Sequence, residues 1–369
     1  MDEGQSYPKL IGTPAILTRL LSLNRIVKWF LLTVLALVVS GLLFGGFLVA
    51  HIYTATSGNS DPVELRVEQG EPFAAVVRKL RGQQVIPNEK LFSLWARLTG
   101  SDKKIQWGVY RFDPSLAPQE VLHRLVTGKR VFLTVTIPEG LTVKEIAELL
   151  AKMQIADREK FLVAAADPQL LATLGLEEKG LEGYLFPNTY QFTPMSSEKE
   201  IIVTMAEHFR KAAEPIWAQF DNGDKLSRHE IITLASIIEK ETGIAAERPL
   251  VAAVFHNRLK RNMALQSDPT VIYGLKEFDG NLTRKDLKDQ NPYNTYRIPA
   301  LPPGPICNPS LASIKAALQP ADVPYLFFVS KNDGTHIFSQ DLESHNEAVR
   351  TYQPIREVTP ANRKPSGLR

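Results

Sequence analysis

The chain has 369 residues, and its 44% hydrophobic and 22% charged side chains are ordinary for a globular protein. With 43 basic against 40 acidic side chains, the formal charge of +3 lacks the concentrated basic face of a nucleic-acid binder. A single cysteine, Cys307, excludes an internal disulfide, and no histidine pair has the H-E-x-x-H spacing of a zinc site, so neither metal nor cofactor is expected.

From Trp29 to Ala50 the chain carries no ionisable side chain. At about 1.5 Å per residue such a run crosses a hydrocarbon core of about 30 Å. It exceeds the apolar region of a cleaved signal peptide, so a retained anchor is expected. Lys9, Arg19, Arg25 and Lys28 precede it, and the next basic residue is Arg66. The positive-inside rule then places residues 1–28 in the cytoplasm, a single transmembrane helix at 29–50, and the rest outside the inner (cytoplasmic) membrane, in the periplasm or on the outer face. Residues 51–62, including the small polar TATSGNSDP, read as a linker.

A weak internal repeat follows. Val63–Val67 alternates like a strand and leads through Gly70 to a helix carrying Val76 and Leu80. Leu133–Ile137 does the same through Gly140 to Ile146 and Leu150, each position shifted by seventy. Each half is strand, glycine turn, helix. The glycine followed by a helix with spaced aliphatics resembles a LysM-like carbohydrate-binding module over 63–130.

Helices dominate the second half. Ser197 with Glu200, and Ser227 with Glu230, are capping-box pairs before apolar periodic runs. Between them DNGDK marks a turn, and a third helix is expected from Glu247 or Pro249 to about Lys260. Residues 267–309 are rich in proline and read as loop, whereas Tyr325–Ser330 reads as a strand entering a hairpin through Asn332-Asp333-Gly334. A disordered tail is expected over 354–369. The absence of a Gly-rich phosphate cradle and of a G-x-S-x-G elbow lowers nucleotide binding and serine-hydrolase chemistry.

The segment IITLASIIEKETG, Ile231–Gly243, carries the chemistry best. Its capped helix has the core stripe Ile231, Leu234, Ala235 and Ile238, which Glu239 borders. Partial burial and the negative end of the helix dipole are both expected to raise its pKa. A carboxyl kept protonated suits proton donation to a glycosidic oxygen. Glu241, turned about 200° from Glu239, is expected to face solvent. Gln266, Ser267, Asp268 and Thr270 form one candidate sugar-binding cluster, and Tyr293, Asn294 and Tyr296 another. Asp268 in D-P-T also fits a plain turn or helix start.

LASIIEKET is followed in order by NRL, LQSDPTVIYG, YNTY, LPPGPICNP, YLFFV and GTHIFSQDLESHN, and is preceded by LEGYLFPNTY. Together these resemble the YceG-like family of endolytic murein transglycosylases, from the apolar segment to about Tyr352. The resemblance implies an α+β fold: a transmembrane helix, a LysM-like module, and a larger, mainly helical catalytic domain with a short β-sheet over 131–353. It implies peptidoglycan glycan strands as substrate, a peptidoglycan synthase as candidate partner, and Glu239 as the catalytic acid. The reaction implied is cleavage between N-acetylmuramic acid and N-acetylglucosamine within nascent strands, leaving 1,6-anhydro ends that limit elongation. Two alternatives remain open: a hydrolytic muramidase using Asp268 or Glu241 as base, and a wall-binding scaffold without activity.

Overall fold

The computed structural model describes residues 25–55, 61–113, 115–176, 180–220 and 226–353. The basic residues Lys9 and Arg19, part of the linker, the DNGDK turn and the tail after 353 lie outside the described residues. The chain is a mixed helix and sheet protein that divides between Val131 and Phe132 into two compact units.

The first unit opens with α1 (Arg25–Tyr53), a helix long and apolar enough to cross a membrane. It overruns the apolar run at both ends, because Arg25, Lys28 and His51 cost an exposed helix terminus little. Only Leu48 and Ile52 of α1 are buried. There follow β1 (Val63–Val67), α2 (Phe73–Gly82), α3 (Glu89–Leu98), β2 (Gly108–Phe112) and α4 (Pro118–Thr127). β1 and β2 form an antiparallel pair, with Leu65 opposite Tyr110. Their inner faces bury Leu65, Val67, Tyr110 and Phe112 against Val76 and Leu80 of α2 and Phe92 of α3. Asn88 caps α3 by accepting from the Lys90 and Leu91 amides.

The second unit begins with β3 (Leu133–Thr136), α5 (Val143–Lys152), α6 (Arg158–Ala165), α7 (Pro168–Leu174) and β4 (Thr189–Phe192), β3 and β4 pairing antiparallel. Then come α8 (Glu198–Phe220), α9 (Arg228–Glu241), α10 (Arg248–Lys260), α11 (Asp268–Gly274), a 3₁₀ turn (Asp286–Lys288) and α12 (Leu311–Leu318). The chain closes with the hairpin β5 (Phe327–Ser330) and β6 (His336–Ser339), and with α13 (Leu342–Tyr352). One core runs from β3 and β4 through α5, α8, α9 and α10 to α12. The sheet expected here is thus two separate two-stranded pairs within a helical body.

The repeat is visible in the backbone. Gly70 and Gly140 adopt φ of 75° and 79°, a left-handed geometry that disfavours residues with a Cβ. Beyond each helix, Gln84 and Gln154 also turn left-handed, at φ 59° and 57°. The next amide closes each turn in the same way, Val85 donating to the Leu80 carbonyl and Ile155 to that of Leu150, both at 2.9 Å. Val67, Val76 and Leu80 are buried in one unit, and Ile137, Ile146 and Leu150 in the other.

Candidate active site

α9 is the axis of the second unit. Ser227 and Glu230 form the reciprocal capping box at its start. Every residue from Ile231 to Ile238 is buried, including Thr233 and Ser236. The Thr233 hydroxyl donates to the His229 carbonyl, and that of Ser236 to the Thr233 carbonyl, so polar side chains lie in the core without unmet donors. The proline-rich stretch from Pro303 to Ser310 runs along this helix. Pro303 O lies 3.2 Å from His229 Nε2, the Ile306 amide donates to Ser236 Oγ, and the Cys307 thiol to the Ser236 carbonyl. Cys307 is therefore a buried packing residue.

Glu239 stands in the last turn of α9, its side chain only 6% exposed. Its Oε2 accepts from the Ser310 amide at 2.9 Å and from the Ser310 hydroxyl at 2.5 Å. Its Oε1 accepts from Arg248 Nη2 at 3.3 Å. Ser310 is the N-cap of α12, so the carboxylate meets a helix N-terminus as well as a guanidinium. Both complement negative charge, and both come from parts of the chain that its own helix does not reveal. Arg248 Nη2 also lies 3.8 Å from Glu139, whose side chain is 55% exposed. The neighbouring Gly140 stacks on the acid: a Cβ there would lie 3.6 Å from Glu239 Cγ. Lys240 Nζ donates to the Gly140 carbonyl, and the Gly140 amide donates to the Asn308 carbonyl. The second copy of the repeated glycine turn thus packs over Glu239.

Glu241 does not face solvent. α9 is buried along Ile231–Ile238, and the direction away from Glu239 leads into the loop preceding α11, where the Ser267 hydroxyl donates to Glu241 Oε1. Burial pushes the Glu241 carboxyl up to about 7, opposed by the Ser267 hydrogen bond and assisted by the nearby Asp268 charge.

The structure brings the two polar clusters together. The Gln266 amide donates to the Thr295 carbonyl, the Ser267 amide to Thr295 Oγ1, and the Tyr296 hydroxyl to Asp268 at 2.6 Å. Ser267, Thr270 and Asn294 are buried. Thr270 is bonded to the Ser267 carbonyl and to Thr295, while Asn294 donates to the Leu287 and Asp289 carbonyls. The side chains of these three are engaged within the loops and, through Ser267, with Glu241. Gln266 and Asp268 are exposed, and Tyr293 and Tyr296 are half-buried. Tyr293 lies against Tyr273, ring centroids 4.8 Å apart. Among these residues the hydrogen bond to α9 falls on Glu241, through Ser267.

Arg248, Ser310, Glu139, Asn308 and Glu182 are the neighbours that sequence reasoning did not single out. Glu182 and Asn308 lay inside the quoted blocks LEGYLFPNTY and LPPGPICNP, and Arg248 at the expected start of a helix. Their local patterns signal turns and caps, so their convergence is visible only in three dimensions.

A model of the YceG-like family matches residues 65–351. The endolytic murein transglycosylase of Bacillus subtilis (strain 168) is 31% identical over 306 residues, covering 79% of this chain and 84% of that protein. A protein of the same name from Streptococcus pneumoniae serotype 2 (strain D39) is 28% identical over 352 residues, or 86% of this chain and 63% of that longer protein. The crystal structure of a YceG-like protein from Listeria monocytogenes matches with a TM-score of 0.55 at 32% identity, covering 79% of this chain and 100% of that one. The family match takes in the first unit from Leu65 onward and the second as far as Thr351, including the whole constellation around Glu239, and the chain belongs to the YceG-like family.

Proposed function

We propose that this chain is an endolytic murein transglycosylase with Glu239 as its acid and base. The observation that carries this reading is a single glutamate carboxyl fixed at the end of a buried helix by Ser310 and Arg248. The names of the Bacillus and Streptococcus relatives give the reaction class, a lytic transglycosylase acting on murein. Glu239 protonates the oxygen joining N-acetylmuramic acid to N-acetylglucosamine, and the bond from the muramyl C1 to that oxygen breaks. An oxocarbenium-like or acetamido-assisted species follows. The Glu239 carboxylate then removes the proton from the same sugar's C6 hydroxyl. O6 bonds to C1, giving a 1,6-anhydro end with Glu239 again protonated. Gln266, Asp268, Tyr293 and Tyr296 offer polar groups and ring faces to neighbouring sugars.

α1 anchors the chain in the inner membrane with its N-terminus inside, a reading supported by its length, its apolar surface and the basic residues before it. The strand–helix–helix–strand order of residues 63–112 supports a LysM-like module that holds glycan for the catalytic unit. A peptidoglycan synthase is the partner suited to an enzyme that trims nascent strands.

A hydrolytic muramidase is the second reading, favoured by one observation: the carboxyl of Glu139 shares Arg248 with Glu239. Asp268 is instead bonded to Tyr296, and half-buried Glu241 to Ser267. Mass spectrometry of digested glycan strands separates the readings. Anhydro ends are expected; reducing ends would transfer the role of base to Glu139 and a water, and intact strands would leave only a scaffold.

A further inference from the structure

Segments that frame Glu239 meet on another carboxyl, that of Glu182. The Val143 amide, at the start of α5, donates to its two oxygens at 3.1 and 3.2 Å. Asn308 Nδ2 donates to Oε1 at 3.1 Å, and the Tyr273 hydroxyl, on α11, to Oε2 at 3.2 Å. All these partners are neutral donors, and among the described residues no cation lies within ion-pair distance. Burial pushes the Glu182 carboxyl up to about 7 even against the Val143 and Tyr273 hydrogen bonds. A half-buried carboxyl held by neutral donors and without a cation is a poor source of net stability, which directs attention to its role at the site.

Asn308 passes the constraint onward. Its side chain also donates to the Leu141 carbonyl and accepts from the Leu185 amide. Its backbone amide donates to Leu141 and its carbonyl accepts from Gly140, each at 2.9 Å. Two residues on, Ser310 turns its amide and hydroxyl to Glu239. Gly140, held by Asn308, lies on the Glu239 side chain.

We propose that Glu182 is a positioning residue for Glu239: it fixes Asn308, and through Asn308 both the Ser310 donors and the Gly140 turn, so that the acid's carboxyl keeps one orientation. The inference rests on the reading of Glu239 as the acid.

The test uses the full chain in detergent with soluble uncrosslinked glycan oligomers, comparing Glu182→Gln, Asn308→Ala and the double variant. A misplacement of about 1 Å near reacting atoms costs about 10²-fold, so Glu182→Gln is expected to lower kcat by about 10–100-fold. KM should stay within about twofold, and the melting temperature within a few degrees. Because one chain of contacts is being cut at two points, the double variant should fall within about threefold of Asn308→Ala. If Glu182→Gln melts below the assay temperature, Glu182→Asp, whose shorter side chain retreats from Asn308, is expected to show the same loss in kcat. A folded Glu182→Gln protein with wild-type kcat would overturn the inference, as would a loss confined to KM or losses that multiply in the double variant. A Glu239→Gln protein that still cuts would overturn the acid assignment itself. An inert Glu239→Gln beside a fully active Glu182→Gln would overturn only the positioning role.

Discussion

Replacing Glu239 by glutamine removes the proposed proton-transfer group and changes the shape of the site little. Glutamine keeps an oxygen for the Ser310 amide and hydroxyl, but it turns an NH₂ toward Arg248, donor against donor. Leaving a buried donor unmatched costs about 1–3 kcal/mol. The shared contact to Glu139 at 3.8 Å holds the guanidinium and moves the cost toward the lower end. At about 2–4 °C per kcal/mol for a unit of this size, the melting temperature should fall by about 2–4 °C. Activity should fall far more. General acid–base help is worth ~10²–10⁴-fold, and in the proposed reaction one carboxyl serves both halves, so a loss near ~10⁴-fold is expected. That equals about 5.5 kcal/mol of transition-state stabilisation. The assay is release of anhydro-muramyl ends from purified peptidoglycan, with circular dichroism and a thermal melt on the same preparation. A folded variant that cuts at near wild-type rate would refute the mechanism. A variant that loses activity only because it unfolds at the assay temperature would refute the stability argument.

Glu241 offers a pH test. Its folded pKa of about 7 lies above the ordinary 4.5, so the stability it contributes is complete below about 4.5 and is lost as pH rises toward about 7. The wild-type melting temperature should therefore decline over that window, and Glu241→Gln should flatten the decline; an unchanged slope would refute the assigned burial. Gly70→Ala and Gly140→Ala carry the same left-handed strain, about 1 kcal/mol each. Only Gly140 touches Glu239, so only Gly140→Ala should reduce glycan cutting per folded molecule. Deleting residues 63–130 should weaken glycan binding or change product lengths while leaving some cleavage, which pull-down on sacculi and product sizing would measure. A reporter fused after residue 353 should be active outside the cytoplasm, and the mature chain should retain Trp29–Ala50 by N-terminal sequencing.

Local rules revealed much of this molecule. The capping box of α9, the start of α10, the terminal hairpin and the repeat all follow from spacing, because each depends on contacts a few residues apart. The repeat extends further than the pattern suggested, to the left-handed Gln84 and Gln154. The apolar stripe beside Glu239 made its burial at the end of α9 legible, whereas its role as the acid came from the family resemblance and remains a proposal. Glu241 was misread because a helical wheel gives direction, not what covers that direction, and the loop before α11 covers the side of α9 that Glu241 faces. Ser267, Thr270 and Asn294 looked like sugar ligands because polar loop residues are ambiguous; here Thr270 and Asn294 bond the loops' own backbone and the Ser267 hydroxyl bonds Glu241. Arg248 lies nine positions after its partner, across a turn, where no periodic rule pairs them.

The contacts that fix Glu239 come from positions 140, 248 and 310, more than half the second unit apart in the chain. No fragment ending before Ser310 brings all three to the acid. An incompletely made or still-unfolded chain thus carries the glutamate without its setting, which forms only with closure of the whole unit. On the proposed reading of Glu239 as the acid, the setting of the chemistry is thus a property of the whole second unit and of no shorter piece of it.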